Sequence, residues 1–256
     1  MEMKFSKYQG TGNDFIMIDD LNKTFDSNDK QLIKNLCDRK FGIGSDGIIL
    51  LQADDELDFY VDFLNPDGSR SFCGNGSRCA VQFAVELGIT ENQCRFNAID
   101  GEHEASILGD VVELKMSTVR STENLGDDFL LDTGSPHYVK FVQDVSVLDI
   151  KKLGAEIRYN DRFNEQGVNV NFVEIGKDKI HIRTYERGVE DETLSCGTGV
   201  TAAAIASVLK SGEKEMVSVE SMGGNLSVKL KQSGNTFTDI WLCGPAIKVF
   251  DGSIKL

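Results

Sequence analysis

Cys73-Gly74-Asn75-Gly76 returns as Cys196-Gly197-Thr198-Gly199, almost half the chain later. Each copy is followed by an Ala-rich run that ends in glycine, Ser77 to Gly88 and Val200 to Gly212, and that run predicts a helix. Each is preceded by a segment with strand alternation, Phe59-Tyr60-Val61-Asp62-Phe63 in the first half and Ile180-His181-Ile182-Arg183-Thr184 in the second. Working outward, the matches keep their order. Gly12-Asn13-Asp14-Phe15 answers to Gly134-Ser135-Pro136-His137-Tyr138, and Phe41 through Leu51 to Phe163 through Phe172. After each helix comes a hairpin signal, at Asp100-Gly101 and at Gly223-Gly224. One Gly-rich turn resembles another by chance; an ordered series of them reads as an internal duplication. The expected fold class is α+β: two pseudo-symmetric domains, each a mostly antiparallel sheet or barrel wrapped on a central helix. The polar stretch Ser117 to Glu123 marks the division, giving domains 1–118 and 119–245, with 246–256 as a terminal strand.

Composition narrows the function. Apolar residues make up 40% and charged residues 27%, an ordinary globular balance. With 27 basic against 41 acidic residues the net charge is −14, which argues against nucleic acid, whose phosphates are bound by clustered Lys and Arg. No apolar run is long enough to span a membrane, and Met1 to Ser6 lacks a signal-peptide profile, so a cytoplasmic location is expected. The six cysteines (37, 73, 79, 94, 196 and 243) are too few for a disulfide scaffold. There is no CxxC pair, and the three histidines are scattered, so no metal site is expected.

The order strand, turn, Cys-Gly-x-Gly, helix places a thiol at a helix N-terminus in each half. Unpaired amides and the helix dipole there favour both a thiolate and a bound carboxylate. A free thiol titrates near 8.5, and a helix-end field of about 2 kcal/mol at most brings it close to neutrality without ionising it fully. Pseudo-twofold symmetry would bring equivalent points of the two domains to face one another across a bound molecule. Two thiols so placed suit stereoinversion: one thiolate removes a proton from carbon and the opposite thiol returns one to the other face. The bland alternative is a small buried residue at each helix start. Repetition inside the motif favours function for Cys73 and Cys196, whereas Cys37, Cys79, Cys94 and Cys243 read as core thiols.

These residues resemble a known family. Gly10-Thr11-Gly12-Asn13-Asp14-Phe15, Gly42-Ile43-Gly44-Ser45-Asp46-Gly47, Asn65-Pro66-Asp67-Gly68-Ser69, Val168-Asn169-Val170 and Tyr185-Glu186-Arg187-Gly188, with both Cys-Gly-x-Gly motifs, are similar to the diaminopimelate epimerase family from Tyr8 to Gly244-Pro245. The resemblance implies a cofactor-independent epimerase that interconverts LL- and meso-2,6-diaminopimelate in lysine and peptidoglycan-precursor synthesis. It implies that the terminal strand returns to the first domain. It implies Cys73 and Cys196 as catalytic pair, His137 and Glu186 as neighbours tuning the thiols, and Asn13, Asn65, Gly74, Asn75, Asn169, Glu186, Arg187, Gly197 and Thr198 as substrate-binding residues. Phe250 falls at an aromatic position tied to dimerisation, which implies a homodimer.

Each carried-over role has a physical sense. A guanidinium such as that of Arg187 suits bidentate clamping of a distal carboxylate. The asparagines can serve an ammonium and a carboxylate alike. Taken singly, Asn13 and Asn65 also read as turn residues, and Glu186-Arg187 as an exposed charged pair. Ser135 stands where the family commonly has Asn, so a substrate contact there is lost or bridged by water. At Gly47 some members carry a side chain that contacts substrate, and the segment from Asn65 to Cys73 is about one residue short. A proline or hydroxyproline racemase using the same two thiols is the nearest alternative reading. A reversible disulfide pair and a non-catalytic amino-acid-binding protein are further ones.

Overall fold

Glycines with positive φ close most of the tight turns, at Gly12, Gly101, Gly126, Gly224 and Gly234 among others, and the apolar-polar alternation between them folds into strands. The computed structural model describes residues 2–212 and 214–255; Met1 and Leu256, the outer ends of the expected N-terminal domain, and Glu213 lie outside the described residues. The chain divides into two compact units, Met1–Leu114 with Gly244–Leu256, and Lys115–Cys243.

Unit 1 begins with β1 (Glu2–Gly10), β2 (Asn13–Asp19), α1 (Lys30–Cys37), β3 (Gly47–Gln52) and β4 (Phe59–Leu64). It continues through α2 (Gly74–Glu86), β5 (Gln93–Ala98), β6 (Gly101–Leu108) and β7 (Val111–Met116), the last crossing the division. Consecutive strands pair, with β2–β3 and β4–β5 parallel and the rest antiparallel.

Unit 2 repeats the plan. Its elements are β8 (Thr122–Leu125), β9 (Asp128–Asp132), β10 (Pro136–Phe141), α3 (Ile150–Arg158), β11 (Asn169–Ile175) and β12 (Ile180–Glu186). After the short β13 (Asp191–Thr193) come α4 (Gly197–Ser211), β14 (Met216–Ser221), β15 (Gly224–Ser233) and β16 (Thr236–Pro245). Here β10–β11 and β12–β14 are parallel, and β9–β10, β11–β12, β14–β15 and β15–β16 antiparallel. Apart from the short β13, the order and sense of pairing match unit 1, so the expected pair of similar sheet-and-helix units is what forms.

The two kinds of helix follow from their sequences. α1 and α3 are amphipathic, and each starts on an aspartate cap: Asp29 accepts from Leu32 N–H at 2.9 Å and Asp149 from Lys152 N–H at 3.1 Å. α4 is small and apolar on nearly every side, α2 mixes small apolar residues with polar ones, and both are buried: Asn75 to Val81 without a break in α2, Gly199 to Val208 in α4. α2 packs on β1 to β4, and α4 on β9 to β12, β14 and β15. Around α4 the core gathers Val139, Val173, Ile182, Val219, Val228, Phe237 and Leu242; α1 seals Ile16, Ile18, Ile48 and Leu50. Each central helix begins three residues before the Ala-rich run, immediately after its cysteine, because Ser77 N–H and Val200 N–H bond to the Cys73 and Cys196 carbonyls at 2.8 Å. Low glycine propensity hid that first turn; packing overrides it.

The last strand, β17 (Ile247–Lys255), lies antiparallel to β1 from Glu2↔Lys255 to Gln9↔Ile247. Ser6 Oγ donates to Asp251 at 2.6 Å, Tyr8 Oη to Glu86 at 2.6 Å, and Lys248 bonds Glu86 as well, so polar bonds fasten strand and helix to β1.

Candidate active site

Both cysteines sit at the N-caps of the central helices in extended conformation, Cys73 at φ −136°, ψ 111° and Cys196 at φ −120°, ψ 113°. Both are half-buried. Cys73 Sγ accepts from Gly76 N–H at 3.4 Å, and Cys196 Sγ lies 3.4 Å from Thr198 Oγ1. The other four thiols are buried, as the sequence reading had them. Burial pushes Cys79 and Cys94 up to about 12 and raises Cys37, so these remain protonated.

In unit 1 the turn Thr11-Gly12, both residues at positive φ, aims Asn13 at the start of α2. Asn75 Nδ2 donates to Asn13 Oδ1 at 2.6 Å, and Asn13 Nδ2 donates to Asp46 at 3.0 Å. Arg39 clamps Asp14 and Asp46 from outside, at 2.6 and 2.7 Å. Arg78, wholly buried, donates to Asn75 Oδ1 at 3.0 Å and Thr11 Oγ1 at 3.1 Å. Asn65 stands apart, in its own turn, where Nδ2 donates to Ser69 O and Ser71 Oγ at 3.1 Å. A side chain at Gly47 does not fit: its Cβ would strike the Phe63 ring and lie 2.7 Å from Leu64 O.

Unit 2 gathers a second cluster. His137, buried completely, meets Thr198 Oγ1 at 2.9 Å and Ser135 Oγ at 3.0 Å through Nε2, and Asn171 Nδ2 at 3.0 Å through Nδ1. Burial first and the positive charge of Arg187 second hold the imidazole down to about 3, so it is neutral in the working range. Asn169 joins the cluster to Arg187: its Nδ2 donates to Ser135 Oγ at 3.1 Å and its Oδ1 accepts Arg187 N–H at 2.9 Å. Arg187 Nη1 donates to Gln166 O at 3.0 Å. Glu186 ends β12, where burial raises its carboxyl above the usual range while Thr193 Oγ1 donates to it at 2.9 Å. A carboxyl so placed exchanges protons nearer neutrality than an exposed one.

The structure thus links Asn13 with Asn75 beside Cys73, and His137, Asn169, Arg187 and Thr198 beside Cys196. Sequence reasoning missed Asp46, Arg39 and Arg78 in the first cluster and, in the second, Asn171, Thr184, which donates to Asn171 Oδ1 at 3.0 Å, and Thr133, which donates to the Thr198 carbonyl at 2.8 Å. Asp46 had a signal, inside Gly44-Ser45-Asp46-Gly47. Among the described residues no group of His, Cys, Asp and Glu is arranged to hold a metal ion, and no helix is long and apolar enough to cross a membrane.

Comparison with known proteins gives the family. A family model described as diaminopimelate epimerase matches residues 5–121 and 129–249. The chain is 49% identical to a diaminopimelate epimerase of Flavobacterium psychrophilum over 98% of its length and 100% of the relative's. It is 39% identical to one of Aquifex aeolicus, over 99% and 98%. A PhzF-family phenazine biosynthesis protein of Bacillus anthracis shares the fold at a TM-score of 0.78 and 12% identity, covering 100% of each chain. With both duplicated motifs inside the matched residues, the chain belongs to the diaminopimelate epimerase family.

Proposed function

We propose that this protein interconverts LL- and meso-2,6-diaminopimelate, with Cys73 and Cys196 as the base and acid that address one α-carbon from opposite faces. The observation that carries the reading is the duplicated placement: two half-buried thiols, each capping a central helix inside a Cys-Gly-x-Gly turn. One sulfur, as thiolate, takes the α-proton, and the electron pair left on carbon delocalises into the α-carboxylate. The other sulfur, as thiol, delivers its proton to the opposite face. The amides of Gly74, Asn75, Gly197 and Thr198 lie at helix starts, where N–H groups and dipole favour the extra charge on that carboxylate. The two sulfurs exchange roles when the reaction runs backward, so neither is a fixed base.

Arg187, Asn65 and Asn169 would recognise the second amino-acid centre that distinguishes diaminopimelate from proline. Glu186, its carboxyl raised by burial, suits a proton exchange partner for a thiol, and His137 a neutral neighbour. No cofactor takes part in this scheme. The exposed Ile247, Val249 and Phe250 of β17 favour a homodimer, which sedimentation would test. Thiol chemistry of this kind favours the reducing cytoplasm, which fractionation would test.

The deciding experiment follows LL-diaminopimelate in heavy water with the reduced full chain. Inversion should carry solvent deuterium to the α-carbon, and Cys73→Ala or Cys196→Ala should each lower it by at least about 10²- to 10⁴-fold. Near-normal inversion in either variant, or activity on proline alone, would overturn the assignment.

A further inference from the structure

Phe15 on β2 stands opposite Gly47 on β3, and Met17 opposite Ile49; in unit 2 His137 stands opposite Asn169, and Val139 opposite Asn171. This register makes Phe15 the counterpart of His137 and Ile49 that of Asn171. The central helices agree. A Cβ on Gly76 would lie 2.9 Å from Ile49 Cδ1 and 3.4 Å from the Phe15 ring, and one on Gly199 would lie 2.5 Å from Asn171 Oδ1 and 3.4 Å from His137 Cε1. One fold therefore closes around the start of its central helix with two apolar side chains in unit 1 and with a histidine and an asparagine in unit 2, all four buried. Burying polar groups where apolar ones fit costs free energy unless every bond is made. Since unit 1 closes without them, the architecture does not require them.

Their bonds have a direction. The Tyr138 carbonyl oxygen can only accept, so the Asn171 atom 3.2 Å from it is Nδ2. Thr184 Oγ1 donates to the other end, Asn171 Oδ1, at 3.0 Å. Asn171 Nδ2 therefore also donates to His137 Nδ1, and a neutral imidazole accepting at Nδ1 carries its proton on Nε2. That proton is aimed at Thr198 Oγ1, which then has its own hydrogen to give to Cys196 Sγ. Ser135 lies beside the relay: its hydroxyl accepts from Asn169 Nδ2 at 3.1 Å and sits 3.0 Å from His137 Nε2, slightly farther than Thr198 Oγ1 at 2.9 Å, and 3.4 Å from Thr198 Oγ1.

We propose that Thr184, Asn171 and His137 are positioning residues that hold the Thr198 hydroxyl as a donor to Cys196 Sγ and so favour its thiolate before substrate arrives. This deepens the reading above, and rests on Cys196 being one of its two thiols. The two thiols are then served differently, Cys196 by this hydroxyl and Cys73 by the Gly76 N–H, since Phe15 and Ile49 at the relay's counterpart positions are hydrocarbon.

The test compares iodoacetamide alkylation of the two cysteines, site by site, in the substrate-free full chain at one neutral pH. Thr198→Val and Asn171→Leu should each slow alkylation of Cys196 about tenfold, the worth of a lost hydrogen bond to a charged group, and leave Cys73 unchanged. Thr198→Ser, which keeps the hydroxyl, should keep the rate. Nitrogen NMR of His137 in the unmodified protein should report the Nε2–H tautomer. Normal alkylation of Cys196 in Thr198→Val, equal slowing of both cysteines, or an Nδ1–H tautomer would each overturn the proposal; the last two measurements hold even if Asn171→Leu does not fold. None of these readouts uses diaminopimelate, so loss of the proposed substrate would leave the relay standing, and loss of the relay would leave the substrate standing.

Discussion

Asn171 Oδ1 occupies the space that a side chain on Gly199 would need, with the missing Cβ only 2.5 Å away. The final glycine of Cys-Gly-Thr-Gly is thus required by a residue on a neighbouring strand, within ordinary helix backbone. In the other copy the obstruction is Ile49 Cδ1 at 2.9 Å, the swinging end of an aliphatic chain.

The two glycines should respond differently to alanine. Asn171 Oδ1 is held by Thr184 and cannot step aside without breaking that bond, whereas Ile49 can turn. Gly199→Ala should lose about 1–3 kcal/mol of stability, and Gly76→Ala less than about 1 kcal/mol, because alanine's better helix propensity offsets part of the crowding. Urea titration of both variants measures this, and a larger loss for Gly76→Ala would contradict it.

His137 makes stability depend on acid. The unfolded imidazole takes its proton near 6.5, the folded one near 3, so between these values the unfolded chain binds more protons. Stability from this group is complete above about pH 6.5 and falls by about 1.4 kcal/mol per pH unit below it. Replacing the pair with unit 1's own solution, His137→Phe with Asn171→Ile, should remove that component. Urea midpoints from pH 7 to pH 4.5 should therefore fall less steeply in the double variant than in the parent; parallel declines would refute it.

Glu186 acts in the opposite sense. Its folded carboxyl is raised by burial, so the folded state holds the proton longer and is penalised as pH rises past the unfolded carboxyl's value of about 4.3. Glu186→Gln should be the more stable protein at pH 8, with the gain gone below about pH 4. The same variant should lose about 10²- to 10⁴-fold in kcat if the carboxyl moves a proton. Thermal melting at the two pH values, with steady-state rates, separates these effects.

Asp46 should matter through Asn13. It accepts from Asn13 Nδ2 while Asn75 binds the other end of that amide, so Asp46→Ala frees Asn13 to turn. The expected result is a rise in KM of about tenfold, one lost hydrogen bond to a charged group, with a smaller change in kcat. An unchanged KM would remove Asn13 from the binding residues.

Much of this layout was legible because duplication doubles every signal. The hairpin glycines, the strands before each cysteine and the burial of the Ala-rich helices each had a second copy to check against. Asn171 escaped for a local reason. In Val168-Asn169-Val170-Asn171-Phe172 alternation assigns both asparagines to the polar, outward face, yet α4 covers that face and both are buried. Only the tertiary cover distinguishes a wet strand face from a dry one. Arg78 was hidden likewise, since an arginine in a helix otherwise reads as surface, and of its partners only Asn75 shares its helix while Thr11 comes from a turn far away in sequence.

The pairing of β17 with β1 has a consequence for how the protein is made. Unit 2 is one unbroken stretch, Lys115–Cys243, while unit 1 needs Gly244–Leu256. A ribosome delivers β1 well before its mate; at about 5–20 residues per second, roughly ten to fifty seconds separate them. The younger half of the polypeptide can therefore mature before the older, and throughout that wait the exposed Lys4 is a charge that guards an open strand edge against other nascent chains.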